Sequence, residues 1–402
     1  MMIELVLIIS FVSACLYVFN EFRVHYYIKS PVLYYKDTDV HRELVKGCKT
    51  LKYPFIPTFW APTHHFQTWL KTFLNFRREA KLNVVREYIE MKDQGIISLD
   101  WINVDKLKSL RKKSRRKSIR PQEKPMLLIL PSAINTNVHD YFDLCRQAVR
   151  MGFKPVFFNR RGYSKTPLTT PKVVTYCDIS DIREVLEYIK NQNPFSDIYA
   201  LGFSMESGNL ISYLGNEGRK SMVSGAVCVS STFGCESQLD EHAMKQPYNY
   251  IITEKLKSIF LKQHLLGTEV DFSQAKVSKT IVDLQGEIHA RSNHYDSIKT
   301  YLEYNNPLAY LNKVTVPILF IHAKDDPVIP DQCIPVPFFQ ISDCCMLLTT
   351  EYGGHCGFFQ GTSPTSWADT VALEFLKSLQ VNRNALSAEA LYRTRSMTTG
   401  CL

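Results

Sequence analysis

Short apolar runs alternate with stretches of helical spacing over the larger part of this chain. The run Met126–Leu130 ends at a proline, which is the pattern of a buried parallel strand. Apolar residues then recur at helical spacing from Val138 to Met151. Further apolar runs follow at 154–158, 197–201, 225–229, 316–321 and 345–348. Strands that alternate with helices predict an α/β fold with a mostly parallel, doubly wound sheet.

The N-terminal segment is apolar over about 20 residues, and a transmembrane helix needs about 17–25. Its centre, Leu5–Phe19, holds neither charge nor proline. A signal peptide and a buried core helix are the alternatives, but no basic residue precedes the run and no clear cleavage site follows it. Arg23, Lys29 and Lys36 follow the span, so the positive-inside rule favours a cytosolic body. We expect a single-pass protein of the endoplasmic reticulum or plasma membrane.

Two further segments depart from the strand–helix alternation. Residues 24–100 are rich in aromatic residues and proline, which predicts a wrap over the core rather than a separate domain. Residues 232–309 are polar and helical in pattern, and an insertion of this size between strands predicts a lid. We therefore expect a transmembrane anchor (1–22), an N-terminal wrap with a basic loop (23–125), an α/β domain (126–380, lid at about 232–309) and a flexible C-terminal tail (381–402).

Charge and cysteine content argue against two classes of function. The 402 residues carry 48 Lys and Arg against 39 Asp and Glu, a formal net charge of +9. Residues 106–124 account for this excess, so the rest of the chain is neutral and a nucleic-acid-binding face is disfavoured. That basic stretch is either a solvated loop or a contact with anionic lipid. The eleven cysteines show no zinc-binding spacing, and we expect neither a metal nor another cofactor.

A serine lies in the turn after one predicted strand. The sequence GFSM at 202–205 follows the run at 197–201 and precedes a helical pattern. A strand, a G-x-S-x turn and a helix form a nucleophile elbow, which projects the serine hydroxyl from the carboxyl edge of the sheet. Ser204 is therefore the candidate nucleophile. The backbone N–H of Met205, at the start of the helix, is a candidate oxyanion donor.

A serine nucleophile needs a base, and the base needs an acid that orients it. The predicted strand at 316–321 leads to Asp325 and Asp326, of which Asp326 is expected to be the acid because proline follows it four residues on. The next strand leads to the sequence YGGHCGFF, in which paired glycines precede His355. The order serine, acid, histidine is that of α/β-hydrolases. We therefore predict a triad of Ser204, Asp326 and His355.

These motifs resemble those of the membrane-anchored α/β-hydrolase-domain proteins, specifically abhydrolase domain-containing proteins one to three. Besides the anchor, the similarity includes PFIP at 54–57, FNRRG at 158–162, LTTP at 168–171, GFSM at 202–205, YDSIKTY at 295–301, DDP at 325–327 and YGGHCGF at 352–358. The resemblance implies an α/β-hydrolase fold with the triad Ser204, Asp326 and His355. It also implies a membrane-bound serine hydrolase that cleaves carboxylic esters of lipids, such as monoacylglycerols, phospholipids or small acyl esters. It identifies no protein partner.

Two departures from the family pattern bear on activity. The family usually has glycine two residues after the serine, where this chain has Glu206. Relatives also carry a glycine-containing turn after the first core strand, where this chain reads PSAIN at 131–135. Ala133 or Ile134 is then the second expected oxyanion donor. The alternative hypothesis is therefore an α/β-hydrolase-fold scaffold that binds a lipid or hormone with little or no catalysis.

Overall fold

The computed structural model describes residues 11, 13–15, 17–18, 28–73, 83–102, 124–170, 172, 176–234, 244, 246–262, 272–291, 293–362 and 365–398. Most of the predicted anchor at 1–22 lies outside the described residues, and the few that are described there are helical. The basic stretch at 106–124 also lies outside them, apart from Lys124. Among the described helices, none combines the length and the apolar character that a bilayer span requires.

A nine-stranded sheet forms the centre of the described structure. Its strands are β1 (Val32–Tyr34), β2 (Val84–Glu90), β3 (Ile96–Ile102), β4 (Met126–Leu130), β5 (Lys154–Asn159), β6 (Ile198–Phe203), β7 (Val223–Val229), β8 (Ile318–Ala323) and β9 (Cys345–Thr350). The spatial order is β1-β9-β8-β7-β6-β4-β5-β3-β2. Strands β4 to β9 pair in parallel, whereas β1, β2 and β3 pair antiparallel. The mostly parallel sheet confirms the predicted α/β architecture.

Helices cover both faces of this sheet. In chain order they are α1 (Asp39–Gly47), α2 (His64–Phe73), α3 (Phe142–Met151), α4 (Ser180–Gln192), α5 (Met205–Glu217), α6 (Tyr248–Lys262), α7 (Phe272–Val277), α8 (Ile281–Gln285), α9 (Ile298–Tyr304), α10 (Leu308–Leu311), α11 (Val336–Ile341) and α12 (Trp367–Thr398). Helices α1, α3 and α12 share one apolar core with the sheet, and α4, α5 and α11 share another. Strands β4, β8 and β9 are buried at every position, which explains their unbroken apolar runs.

The N-terminal wrap contributes strands, which the sequence analysis does not predict. Strands β2 and β3 form an antiparallel hairpin that extends the sheet beyond β5, and β1 pairs with β9 at the opposite edge. Strand β1 has three residues, which is too short to show a period. Strand β2 mixes polar and apolar residues because it lies at an edge of the sheet. Sequence alone therefore shows the parallel centre of the sheet more clearly than its antiparallel edges.

The insertion at 232–309 contains α6 to α9 and the start of α10, with a π-helical turn, Gly286–Ala290, continuing α8. The C-terminal helix α12 runs further than the sequence analysis expects. It ends at Thr398, so residues 381–398 of the expected flexible tail are helical. These residues contain neither proline nor glycine and include several strong helix formers, which explains why the helix continues.

Candidate active site

Ser204 occupies the sharp turn between β6 and α5. Its φ of 54° and ψ of −124° lie outside the regions that residues with a side chain ordinarily adopt. The turn is held because the N–H of Ser204 donates to the carbonyl of Val229 over 2.9 Å. A Cβ on Gly202 would lie 2.9 Å from the Cα of Ser207, so the close approach of strand and helix requires glycine there. This is the geometry of a nucleophile elbow.

Ser204 begins a hydrogen-bonded chain of three side chains. His355 Nε2 lies 2.9 Å from Ser204 Oγ, and His355 Nδ1 lies 2.9 Å from Asp326 Oδ2. Asp326 Oδ1 also accepts from the backbone N–H groups of Val328 and Ile329, over 2.8 and 3.0 Å. The carboxylate favours the tautomer with the proton on Nδ1, which leaves Nε2 free to accept the serine proton. The structure thus brings together the three residues that the sequence analysis selects.

Asp325, the neighbouring carboxylate, has a different partner. Its Oδ1 accepts a hydrogen bond from the N–H of Gly354 over 2.9 Å. Gly354 has a φ of 58°, and a Cβ on it would lie 2.6 Å from the carbonyl oxygen of His64. Asp325 therefore holds the glycine loop that presents His355, whereas Asp326 contacts the imidazole itself. These contacts give different roles to two adjacent aspartates, which the sequence alone distinguishes only by their spacing to the following proline.

Helix α2 contributes to the site, which the sequence analysis does not detect. Thr68 Oγ1 accepts from the N–H of His355 over 2.9 Å. Lys71, almost one turn further along the helix, lines the cavity beside Ser204. No motif marks either residue, because their roles arise only when α2 packs against the loop that carries His355. The amphipathic spacing of α2 is the only signal that sequence offers for them.

Burial and the neighbouring carboxylate shift the pKa of His355 in opposite directions. Burial by itself lowers the pKa of an imidazole, but the Asp326 carboxylate outweighs it and raises the pKa of His355 well above its usual range. Burial likewise tends to raise the pKa of Asp326, yet the imidazole and the backbone N–H groups lower it below its ordinary value. Asp326 is therefore suited to remain ionised and to stabilise a positive charge on the imidazole of His355.

Ser204 and His355 line a cavity of about 1000 Å³, its open mouth included. Much of the wall is apolar and comes from the insertion and from the segment after β8: Met244, Ile252, Leu256, Ile281, Val328 and Ile329. The three residues expected to donate to an oxyanion also line it: Ala133, Ile134 and Met205. No group of three or more His, Cys, Asp or Glu residues in the described ranges is placed to hold a metal ion.

The loop after β4 is held by side-chain hydrogen bonds in place of a glycine turn. The N–H of Ser132 donates to Tyr141 Oη over 3.2 Å, and the N–H of Asn135 donates to Ser132 Oγ over 3.1 Å. Within the described part of the chain, the N–H groups of Ala133 and Ile134 donate to no protein acceptor. The loop therefore keeps two backbone donors available at the cavity.

Glu206 borders a second, smaller cavity rather than the one at Ser204. It lies in the first turn of α5, is 2% exposed, and forms an ion pair with Arg160, which follows β5. Burial raises the pKa of Glu206, and Arg160 opposes that rise. The second cavity is also bordered by Pro131, Ser132 and Ala133, so the ion pair lies behind the loop that carries the oxyanion donors. The carboxylate is thus paired and does not line the main cavity.

A model of the family described as "Serine aminopeptidase, S33" matches residues 126–334, slightly more than half of the chain. The chain belongs to this family. The matched region of the serine aminopeptidase family runs from β4 past Ser204 and Asp326, and His355 lies beyond it. The curated relatives also confirm the resemblance of the motifs to abhydrolase domain-containing proteins.

Three human relatives cover most of the chain. The protein is 29% identical to protein ABHD15 over 80% of this chain and 68% of that protein. It is 27% identical to phospholipase ABHD3, over 89% of this chain and 87% of the relative. It is 25% identical to monoacylglycerol lipase ABHD2, over 89% of this chain and 87% of the relative. All three are from Homo sapiens, and the alignments extend well beyond the region that the serine aminopeptidase family shares.

Proposed function

We propose that this carboxylic ester hydrolase is a membrane-bound serine hydrolase that cleaves lipid esters, such as monoacylglycerols, phospholipids or small acyl esters. The observation that carries the proposal is the hydrogen-bonded chain from Ser204 through His355 to Asp326, on the wall of a mostly apolar cavity. An apolar cavity wall suits an acyl chain. The phospholipase and monoacylglycerol lipase among the relatives support a lipid ester as substrate.

In the proposed mechanism, Ser204 Oγ attacks the ester carbonyl carbon while His355 Nε2 takes the hydroxyl proton. Asp326 stabilises the imidazolium that forms. The carbonyl oxygen becomes an oxyanion, which accepts hydrogen bonds from the N–H of Met205 and from that of Ala133 or Ile134. The intermediate collapses to an acyl-enzyme as His355 protonates the leaving alcohol, and water then releases the acid by the same steps.

The charged residues that line the cavity favour an ester as substrate over a peptide with a free amino terminus. An aminopeptidase must hold the positively charged amino group of its substrate, which calls for a carboxylate at the site. Among the described residues that line the cavity there is no Asp or Glu, and Lys71 would repel an ammonium group. We therefore propose ester hydrolysis, although the family takes its name from an aminopeptidase.

The proposed membrane attachment rests on the sequence. The apolar segment at 5–19 supports a single-pass anchor in the endoplasmic reticulum or plasma membrane. The basic residues that follow it favour, by the positive-inside rule, a body on the cytosolic side. An anchor of this kind would hold the cavity close to lipid substrates.

Labelling by a fluorophosphonate probe tests the proposed nucleophile. We expect labelling of the wild type and complete loss in Ser204→Ala, together with loss of hydrolysis of a panel of lipid esters. Ser258→Ala is the matched control, because Ser258 is exposed on α6 and does not line the cavity. Folded wild-type protein that neither labels nor hydrolyses any ester would instead favour the alternative of a lipid- or hormone-binding scaffold.

We expect kcat/KM to fall as the pH drops through the raised pKa of His355, because only the neutral imidazole accepts the serine proton. The acid limb is thus expected above pH 6.5, about the ordinary histidine pKa. Removing the carboxylate charge in Asp326→Asn should move the limb of the residual activity to lower pH. The measurement is the pH–rate profile of both proteins on one soluble ester, and a limb that stays in place contradicts the assigned pairing.

A further inference from the structure

Large apolar side chains are exposed along one segment of the chain. They lie within residues 53–69, in the loop before α2 and on α2 itself, and their exposed fractions run from 39% to 70%. We call this set the apolar face: Tyr53, Ile56, Phe59, Trp60, Phe66 and Trp69. Soluble monomers rarely expose large contiguous apolar patches, and such patches mark surfaces that a partner or a membrane covers.

The loop and α2 are packed into one unit, so the apolar face is a single surface. Gln67 Nε2 donates to the carbonyl of Ala61 over 2.7 Å and to that of Phe359 over 3.2 Å. Ala61, Leu70 and Phe359 form a small buried apolar cluster between the two segments. The N–H of Thr58 also donates to the carbonyl of Phe359, over 2.9 Å. The inward residues of both segments therefore share a core, which fixes the outward residues relative to one another.

The same unit borders the cavity that holds Ser204. Thr68 accepts from the N–H of His355, and Lys71 lines the cavity wall. His65 Nδ1 lies 2.8 Å from Tyr248 Oη, at the start of the insertion helix α6. Helix α2 therefore carries part of the apolar face on its outward side and part of the cavity wall on its inward side, beside the insertion.

The chemistry of this segment fits the headgroup region of a bilayer. Tryptophan and tyrosine concentrate at that depth because their rings are apolar and carry a polar tip. From residue 48 to residue 70 the sequence holds no Asp or Glu, and its permanent charges are Lys49 and Lys52. Positive charge beside exposed aromatic rings suits the negative surface of a cytosolic leaflet.

The apolar N-terminal segment lies close in sequence to this surface. Lys29 forms an antiparallel bridge with Phe55, in the loop that carries Tyr53 and Ile56. The apolar run ends at Phe19, ten positions before Lys29. At the maximum extension of a peptide chain, the two points are within about 35 Å of each other. A membrane-spanning N-terminal segment would thus end within about 35 Å of the loop that carries the apolar face.

We propose that the apolar face is a second membrane contact, which rests on the headgroup region of the bilayer and places the mouth of the cavity at the lipid surface. The inference rests on the proposed hydrolysis of membrane lipid esters, which gives the contact its use. The contact itself is measured independently of catalysis in the first experiment below.

Tryptophan quenching by lipid tests the contact in the full chain. The four tryptophans are Trp60, Trp69, Trp101 and Trp367. Trp367 is buried in the core, and Trp101 lies on β3 with its indole N–H donating to Glu87. In vesicles of phosphatidylcholine and phosphatidylserine with brominated acyl chains, we expect quenching of the wild type. The double variant Trp60→Phe and Trp69→Phe keeps the face apolar and is expected to lose most of that quenching. Absent quenching, or equal quenching in both proteins, overturns the proposal.

A charge on the apolar face tests its role in catalysis. We expect Phe66→Glu to lower hydrolysis of a long-chain ester in vesicles about tenfold, and to leave hydrolysis of a soluble short-chain ester unchanged. Phe195→Glu is the matched control, because Phe195 is 83% exposed and precedes β6, at the edge of the sheet opposite Ser204. An unchanged vesicle rate in Phe66→Glu overturns the proposed role. If the wild type hydrolyses neither ester, the proposed function fails and the quenching experiment still decides the contact.

Discussion

Replacing Asp326 by asparagine is expected to lower kcat for ester hydrolysis roughly ten-thousand-fold, the size of effect that such a change has in serine hydrolases. The asparagine oxygen can still accept from the N–H groups of Val328 and Ile329, so the loop is expected to stay folded. Its amide N–H, however, would donate to His355 Nδ1. The ring proton would then move to Nε2, the atom that must accept from Ser204 Oγ. The variant therefore reverses the tautomer while it preserves the shape of the site.

Asp325→Asn is the control for this prediction, because it makes the same change one residue away. Asp325 accepts from the N–H of Gly354, and an asparagine oxygen keeps that bond, so we expect a loss of kcat below about tenfold. Both variants and the wild type would be compared in kcat on a soluble ester and in thermal unfolding. A larger loss of kcat in Asp325→Asn would show that the two aspartates have been assigned the wrong roles.

The residues at the centre of the site are visible in the sequence because each follows a buried strand. Ser204 follows β6, Asp326 follows β8 and His355 follows β9, and the apolar runs of these strands are easily recognised. The carboxyl ends of parallel strands meet at one edge of a sheet, so three motifs that are far apart in sequence are expected to converge. Each motif alone is weak, and their order supplies the specificity.

The supporting contacts are hidden because they depend on packing between distant segments. Thr68 contacts the backbone of a residue 287 positions away, and nothing local to α2 indicates that contact. The hairpin of β2 and β3 is similarly hard to see, since an edge strand carries polar residues on its open side. Glu206 is the clearest case. From sequence it is a departure from the family pattern, and its buried partner Arg160 becomes apparent only in the fold.

Arg160→Met is expected to destabilise the protein by about 3–5 kcal/mol, because it leaves the buried carboxylate of Glu206 without its partner. Glu206→Gln leaves the guanidinium unpaired in the same way and is expected to be similarly costly. The double variant buries neither charge and should recover much of the stability, so the two changes should be strongly non-additive. The measurement is the free energy of unfolding of the four proteins by chemical denaturation.

Arg183→Met is the matched control for the buried pair, because Arg183 joins α4 to Glu217 near the end of α5 through an ion pair that is partly exposed. Exposed pairs contribute about 0–1 kcal/mol, so this variant should be close to the wild type. If Arg160→Met costs no more than Arg183→Met, the buried pair does not support the start of α5. A large coupling would instead mean that the ion pair of Glu206 and Arg160 stabilises the first turn after Ser204.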